Sequence, residues 1–302
     1  MNCCLNFELS SSRPVKFLIF ALVCHFVAFQ VPANEGKASD FDDFLRYVEL
    51  GEESGKVETG IVTYRNLRGV EVQLIGAVHV GEAEYYSTLQ KRFSEMDALL
   101  YEMVKPAGVD PSQLKRSDSG VSMIQRMMKN ALKLQFQLDA VDYSPSNFVH
   151  ADMTPEAFEK AQGEQGESLS GLMFETMMQQ HALMTPGDAV RENLRFLAAL
   201  TNKNRSHALK LYLGKQIGDM EKAVIGLDGK PDEEGNTNGS VLLHGRNEVA
   251  IRVLREQINF KRHRKIGIFY GAAHMPDMEK RLLNMGFRKV RSEWLTAWDM
   301  SK

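Results

Sequence analysis

From residue 56 the chain reads KVETGIVTYRNLRGVEVQLIGAVHV. Apolar and polar positions alternate on either side of Asn66-Leu67-Arg68-Gly69, a turn-forming tetrad, so the stretch predicts a β-hairpin. The period then changes. In EAEYYSTLQKRFSEM the apolar residues Tyr85, Leu89 and Phe93 recur at helical spacing, and DALLYEMV that follows reads as a buried strand. Hairpin, helix and strand in that order form an α/β pattern. From about 118 to 225 the runs are helical: SMIQRMMKNALKLQFQL, TPEAFEKA, GLMFETMMQQHALM, DAVRENLRFLAAL and SHALKLYLGKQIGDM. Thr154 and Pro155 suit the N-cap and first position of one helix, Asp188 suits the cap of another, and no strand stands out. After a turn-rich acidic loop, 226–240, the α/β pattern returns. RNEVAIRVLREQI is helical, KIGIFY a strand, MEKRLLNMG a helix closed by Gly286, and RKVRSEWLTAW a last strand. The expected fold class is α/β. Two α/β halves form one sheet-based core, a single domain over 51–302, with a helical insertion at about 118–225. Residues 34–50, polar and acidic and then briefly amphipathic, read as a linker and a short helix.

A chain of 302 residues with 43% hydrophobic content suffices for one large core. The formal charge is -2 and no basic stripe occurs, so nucleic acid is not an expected partner. Ahead of the fold, Arg13 and Lys16 precede the apolar run FLIFALVCHFVAF, residues 17–29, which is short for a membrane span and is followed by VPA. This pattern predicts a signal peptide over 1–33, cut after Ala33, and a protein exported to the periplasm or secreted. An uncleaved leader is the alternative, and the only expected membrane contact. Cys3, Cys4 and Cys24 all lie in the leader. The mature chain would carry no cysteine, which leaves out disulfides, a cysteine nucleophile and thiolate zinc sites. Eight of the sixteen methionines fall between Met123 and Met184. Methionine at helical spacing fills cores, and it also builds adaptable apolar surfaces.

Against this background two short elements match each other. Gly76-Ala77-Val78-His79 and Gly271-Ala272-Ala273-His274 each end an apolar strand and open a helix, one in each half of the chain. In open α/β sheets ligands gather at the carboxyl ends of strands, and glycine there admits sharp turns and close approach. Two imidazoles delivered in this way suit a shared metal. Glu102 closes the neighbouring strand ALLYE, and a carboxylate at that place needs a partner if buried. His79, Glu102 and His274 together match the two-histidine, one-carboxylate sets that bind Zn, Mn or Fe with open positions. Taken singly, a strand-end histidine is more often a hydrogen-bonded structural residue, and such a glutamate is often a helix cap or a surface salt bridge; the duplication is what favours a common site. Arg246, at a helix start after an apolar run, suits an oxyanion or a substrate carboxylate, and equally a capping cluster. Asp142, Tyr143, His150 and Asp152 lie in a loop before a helix, where turn and cap roles are the default.

The segments GAVHVGEAEYYSTLQKRFSEMDALLYE and GRNEVAIRVLREQI…IGIFYGAAHMPDMEKRLLNMGF resemble the TraB/PrgY/GumN family, which includes the Tiki proteins and belongs to a wider group with erythromycin-esterase-like and ChaN-like proteins. The resemblance runs over roughly 60–290. It implies an α/β core with a helical insertion. In the Tiki branch it implies metal-dependent peptidase activity, which carries His79, Glu102 and His274 over as the metal and catalytic set, with Arg246 beside them. The expected cofactor is a divalent ion of the zinc, manganese or cobalt type, and the expected partner a peptide or small-molecule substrate. Glu102 is either a ligand or the general base. Other branches imply a different role, since some members are linked to inhibition of peptide pheromones and ChaN-like relatives bind haem. The alternative is therefore a non-catalytic protein that sequesters a peptide or a haem-like cofactor.

Overall fold

A computed structural model describes residues 44–109, 111, 131–165, 186–228 and 241–301. The expected leader, most of the linker after it, much of the methionine-rich stretch and most of the acidic loop lie outside the described residues. Among the described residues no helix is long and apolar enough to cross a membrane.

The core is a seven-stranded mixed sheet. The predicted hairpin forms from β2 (Ser54–Arg65) and β3 (Glu71–Ala77), paired antiparallel. Its turn is held by Asn66, whose Oδ1 accepts from the backbone N–H of Arg68 and of Val70, each at 3.0 Å. Helix α1 (Ala83–Phe93) buries Tyr85, Tyr86, Leu89 and Phe93, the stripe its period predicts, and leads into β5 (Ala98–Tyr101). From the far end of the chain, β8 (Lys265–Gly271) enters between β3 and β5, parallel to both. The two halves therefore share one sheet and interleave. β9 (Arg288–Met300) runs antiparallel along β2 for nearly its whole length. Trp298 fixes its end by donating Nε1–H to the carbonyl of Val80 at 2.6 Å.

Two expectations are corrected. The end of the 34–50 segment is a strand: β1 (Leu45–Gly51) pairs with the first half of β2, which extends past β3 and offers a free ladder there. The stretch 118–225 is not purely helical either. Gln135–Phe136 forms β6, pairing antiparallel with β4 (Val80–Gly81), and Lys133, at φ 56°, follows the helical residues 131–132. Phe148–His150 forms β7, an edge strand parallel to β5. Three residues are too few to show a period, and tertiary bonds make the strand. Asn147 donates from Nδ2 to the carbonyls of Phe93 and Met96 (2.8 and 3.0 Å) and accepts from the N–H of Leu99 at 2.7 Å. Phe93 packs against Phe148 and Phe269, with centroids 5.8 and 4.8 Å away. A side chain so buried contributes about 1.5–3 kcal/mol, and ring pairs about 0.5–1.5 kcal/mol more. One residue thereby ties α1 to both β7 and β8.

The remaining helices begin with a four-residue turn, α2 (Gln137–Ala140). α3 (Pro155–Gln165) follows, with Thr154 Oγ1 accepting from the N–H of Ala157 as the cap pattern predicts. α4 (Pro186–Thr201) already contains Asp188 in its first turn, so that residue is not its cap. α5 (Arg205–Asp228) lies across β1, β2 and β9 and reaches the short 3-10 turn Ala272–His274. α6 (Arg246–Asn259) leads to β8, and α7 (Met275–Asn284) follows it.

Gly76 sits where three backbones meet. A Cβ there would stand 3.0 Å from the carbonyl oxygen of Phe44 and 3.4 Å from that of Gly60. Backbone does not yield as a side-chain tip does. Gly76→Ala is expected to destabilise the protein by about 1–3 kcal/mol, read as a lower urea midpoint at unchanged slope; an unchanged midpoint would show that the junction has slack.

Candidate functional site

Four strands run parallel in the order β3, β8, β5, β7. In register, Ala77 lies opposite Gly271, Tyr101 opposite Phe269 and Tyr101 opposite His150. Their carboxyl ends are therefore level, and the residues just beyond them come together in the same order: His79, His274, Glu102 and Asp152. The fifth participant, Arg246, is the first residue of α6, which follows a single π-helical turn, Val241–Gly245.

Arg246 is buried, and two carboxylates meet it. Nε donates to Asp152 Oδ1 at 2.9 Å, and Nη2 donates to Asp152 Oδ2 and to Glu102 Oε1, both at 2.6 Å. The Asp152 side chain has no exposed surface and that of Glu102 is nine-tenths buried. The second oxygen of Glu102, Oε2, accepts the backbone N–H of Gly271 at 2.7 Å. Burial works to raise the Glu102 carboxyl, but Arg246, His274 and His79 outweigh it and hold it well below the usual carboxylate range. Burial works to lower the Arg246 guanidinium, and Asp152 and Glu102 reverse that, so it is raised.

The histidines approach Glu102 from either side. His274 Nε2 stands 3.5 Å from Glu102 Oε1. Its other nitrogen, Nδ1, pairs with Asn247 Oδ1 at 2.7 Å. His79 is half-buried just beyond the end of β3. Burial lowers its pKa against the opposing pull of Glu102, so its ring is neutral at physiological pH. Gly271 lies at the centre. A Cβ built on it would be 3.4 Å from Glu102 Oε2, 3.5 Å from His79 Nε2 and 3.8 Å from His274 Cδ2. The three side chains thus face one small space, which glycine keeps clear. The two matched glycines are there for different reasons: Gly76 for close backbone packing, Gly271 to leave room between donors. Neither is in the left-handed region.

As a donor set the residues fit a divalent ion in kind, with two imidazole nitrogens, one carboxylate and a neighbouring Asn fixing one ring. Among the described residues no three His, Cys, Asp or Glu side chains stand close enough to form a ready-made ligand shell. Any ion would have to draw His79 and His274 inward. The charge balance favours one, because Arg246 against Glu102 and Asp152 leaves these three side chains at a formal -1.

Of the other sequence candidates, Asp142 has the expected turn role, accepting the N–H of Ser144 at 2.9 Å. His150 bonds through Nε2 to the carbonyl of Met103 at 2.7 Å and does not join the centre. Arg246 does join it, as a clamp on two carboxylates. Asp152, read as a turn residue, is the second anion of the site; it also accepts the N–H of Met153 at 2.8 Å, which is the local role its sequence position suggests. Gln137 and Tyr143 line the far side, with Gln137 Nε2 donating to the Tyr143 hydroxyl at 3.1 Å. Gln137 Oε1 is buried, and the Gln137 side chain faces His79, whose charged form it favours.

No protein-family model matches this chain, and no curated protein matches it either.

Arg246→Leu would leave two buried carboxylates facing each other without a counter-charge. At neutral pH the expected loss of stability is about 3–5 kcal/mol. The pairing of Glu102 lowers its folded pKa, so its contribution is present above the unfolded value and fades as pH falls towards the folded one. The gap between wild type and Arg246→Leu, measured by chemical denaturation, should therefore narrow as pH drops below about 4. A gap that is small, or constant with pH, would show that the guanidinium is not what keeps the carboxylates ionised.

Proposed function

We propose that the protein is an exported, metal-dependent hydrolase, most readily a peptidase, with its centre at His79, Glu102 and His274. The observation that carries this reading is the convergence of those three side chains on the space above Gly271. The family resemblance in the two Gly-x-x-His segments points the same way.

His79, Glu102 and His274 would hold the ion; when bound, it would supply polarisation of a substrate carbonyl and a lowered pKa for a water molecule. The residues of the chain do the rest. His79 contributes a neutral ring, because burial disfavours its charged form. Glu102 stays ionised because Arg246 is fixed against it, and Arg246 is fixed because Asp152 grips it through two nitrogens. Arg246 acts in this reading as a positioning residue, its charge being already met by two carboxylates. With one oxygen on Arg246 and the other on Gly271 N–H, Glu102 keeps lone pairs for a further partner but little freedom to swing. That suits a fixed ligand better than a mobile base. The same immobility supports a second reading, a protein that captures a peptide or a haem-like group without turnover.

Two measurements test the proposal. The purified full-length protein should carry about one equivalent of zinc, manganese or cobalt, and His79→Ala combined with His274→Ala should carry none; equal metal in both would remove the centre. A peptide library should be cleaved by the wild type and spared after chelation, whereas stoichiometric capture without cleavage would favour the second reading.

Gly271→Ala makes a sharper probe. The added methyl meets only ordinary contacts, at 3.4 to 3.8 Å. Stability should change by no more than about 0.5 kcal/mol, yet the methyl fills the shared space, so metal uptake should fall sharply. Full metal content in a well-folded Gly271→Ala would sink the proposed location.

A further inference from the structure

Asn247 and Asp277 take no part in the mechanism above, yet they bear directly on His274. Asn247 is fully buried, at the second position of α6. Its Nδ2 donates to Asp277 Oδ2 at 2.9 Å and to the backbone carbonyl of His274 at 3.2 Å. The oxygen and nitrogen of an Asn amide are easily exchanged in a structure, and hydrogen-bond partners decide between them. Here both partners are oxygens that an ionised carboxylate and a peptide carbonyl can only offer as acceptors. The amide orientation is therefore fixed, and Oδ1 faces His274 Nδ1 at 2.7 Å. A carbonyl oxygen accepts, so Nδ1 carries the hydrogen. Asp277 is held in turn: Arg281 Nε, one turn further along α7, donates to its Oδ2 at 2.6 Å, and His244 Nδ1 stands 3.5 Å from its Oδ1.

The opposing influence is equally plain. Glu102 Oε1 lies 3.5 Å from His274 Nε2. A carboxylate at that place favours a hydrogen on Nε2, the tautomer that points N–H at Glu102 and closes off the lone pair. Without a competing acceptor at Nδ1, Glu102 would win.

We infer that Asn247, itself oriented by Asp277, is a positioning residue that locks neutral His274 in the Nδ1–H tautomer. The lone pair of Nε2 is thereby kept directed towards Glu102 and the space above Gly271. The inference rests on the proposed function only for what Nε2 does next. The tautomer itself is a property of the folded chain with no substrate or metal added.

The test is nitrogen NMR of the full-length protein labelled at its eight histidines, with the His274 ring assigned by its loss in His274→Gln. Spectra are followed upward in pH until the ring is neutral. The wild type should then show a protonated Nδ1 and a bare Nε2; the reverse pattern overturns the proposal without any further variant. Asn247→Leu should move the ring towards Nε2–H, and Asn247→Asp, which keeps an acceptor at Nδ1, should retain the wild-type pattern. If Asn247→Leu does not fold, Asp277→Asn decides. Its side chain can donate as well as accept, so only the His274 carbonyl still orients the Asn247 amide and Nε2–H should grow in. An unmoved ring in either variant removes the corresponding residue from the lock. Zn²⁺ titration of the same samples separates this inference from the functional reading. Where the ring has moved, zinc affinity should fall by about 10–100-fold. A wild type that is Nδ1–H but binds no zinc would leave the lock standing and sink the metal centre.

Discussion

One guanidinium between two buried carboxylates sets the terms for the rest of the molecule. Arg246 belongs to α6, Asp152 to the segment after β7 and Glu102 to the end of β5, and the three contacts among them are all 2.9 Å or shorter. Assembling such a cluster is costly, because each charge must leave water, and its net contribution to stability is small. Once it exists, losing any member is costly, because the others are left charged and dry. That asymmetry acts on the fold more than on its total stability. It specifies that α6, β5 and β7 dock in one arrangement, since any other strands a charge. β7 has only three residues. Its place beside β5 is fixed by Asn147 on one side and by the Asp152–Arg246 pair on the other.

Sheet topology explains why residues so far apart in the chain are neighbours. The crossover from β3 through α1 to β5 leaves a slot between the two strands, and β8 fills it from the far end of the sequence. Filling the slot in parallel aligns the carboxyl ends, so that the side chains after β3 and β5 flank those after β8. Glu102 then accepts the backbone N–H of Gly271, a bond across the seam between the two halves of the chain. The site is therefore also the place where the insertion of β8 is completed. A chain lacking either end would have half a site and an open slot.

How much of this the sequence disclosed follows from which interactions are local. The hairpin, α1, β5, α6, β8, α7 and β9 each carry their own period or turn chemistry, and all of them form. The pairing of His79 and His274 was legible because one motif occurs twice. What escaped was whatever depends on distant partners. β1 is a strand because β2 extends beyond β3, and β7 because Asn147 and Phe148 find partners on α1 and β5. Asp152 is the instructive case. Two residues after a short strand and just before a capped helix, its sequence setting suggests a turn, and its bond to the N–H of Met153 bears that out. Its larger role needs Arg246, 94 positions away. The chain carries one clue to it. The VHAD stretch, residues 149–152, places an acid soon after a strand, as ALLYE does at Glu102, and the two strands pair in the same sheet.

The balance of charge ties the two polar networks to each other. Arg246 neutralises one of its two carboxylates, and the remaining negative charge sits in a pocket from which water is largely excluded. Such a charge attracts a proton or a metal cation to the nearest lone pairs, those of His79 and His274. A neutral His274 with its hydrogen on Nε2 would point that N–H at Glu102 and leave no lone pair there. Asn247 works against that outcome by holding a hydrogen on the opposite nitrogen. The negative charge of the Glu102–Asp152 pair and the fixed orientation of the Asn247 amide thus act in concert. In the proposed reading the first attracts a cation to the space above Gly271, and the second keeps open a lone pair to receive it.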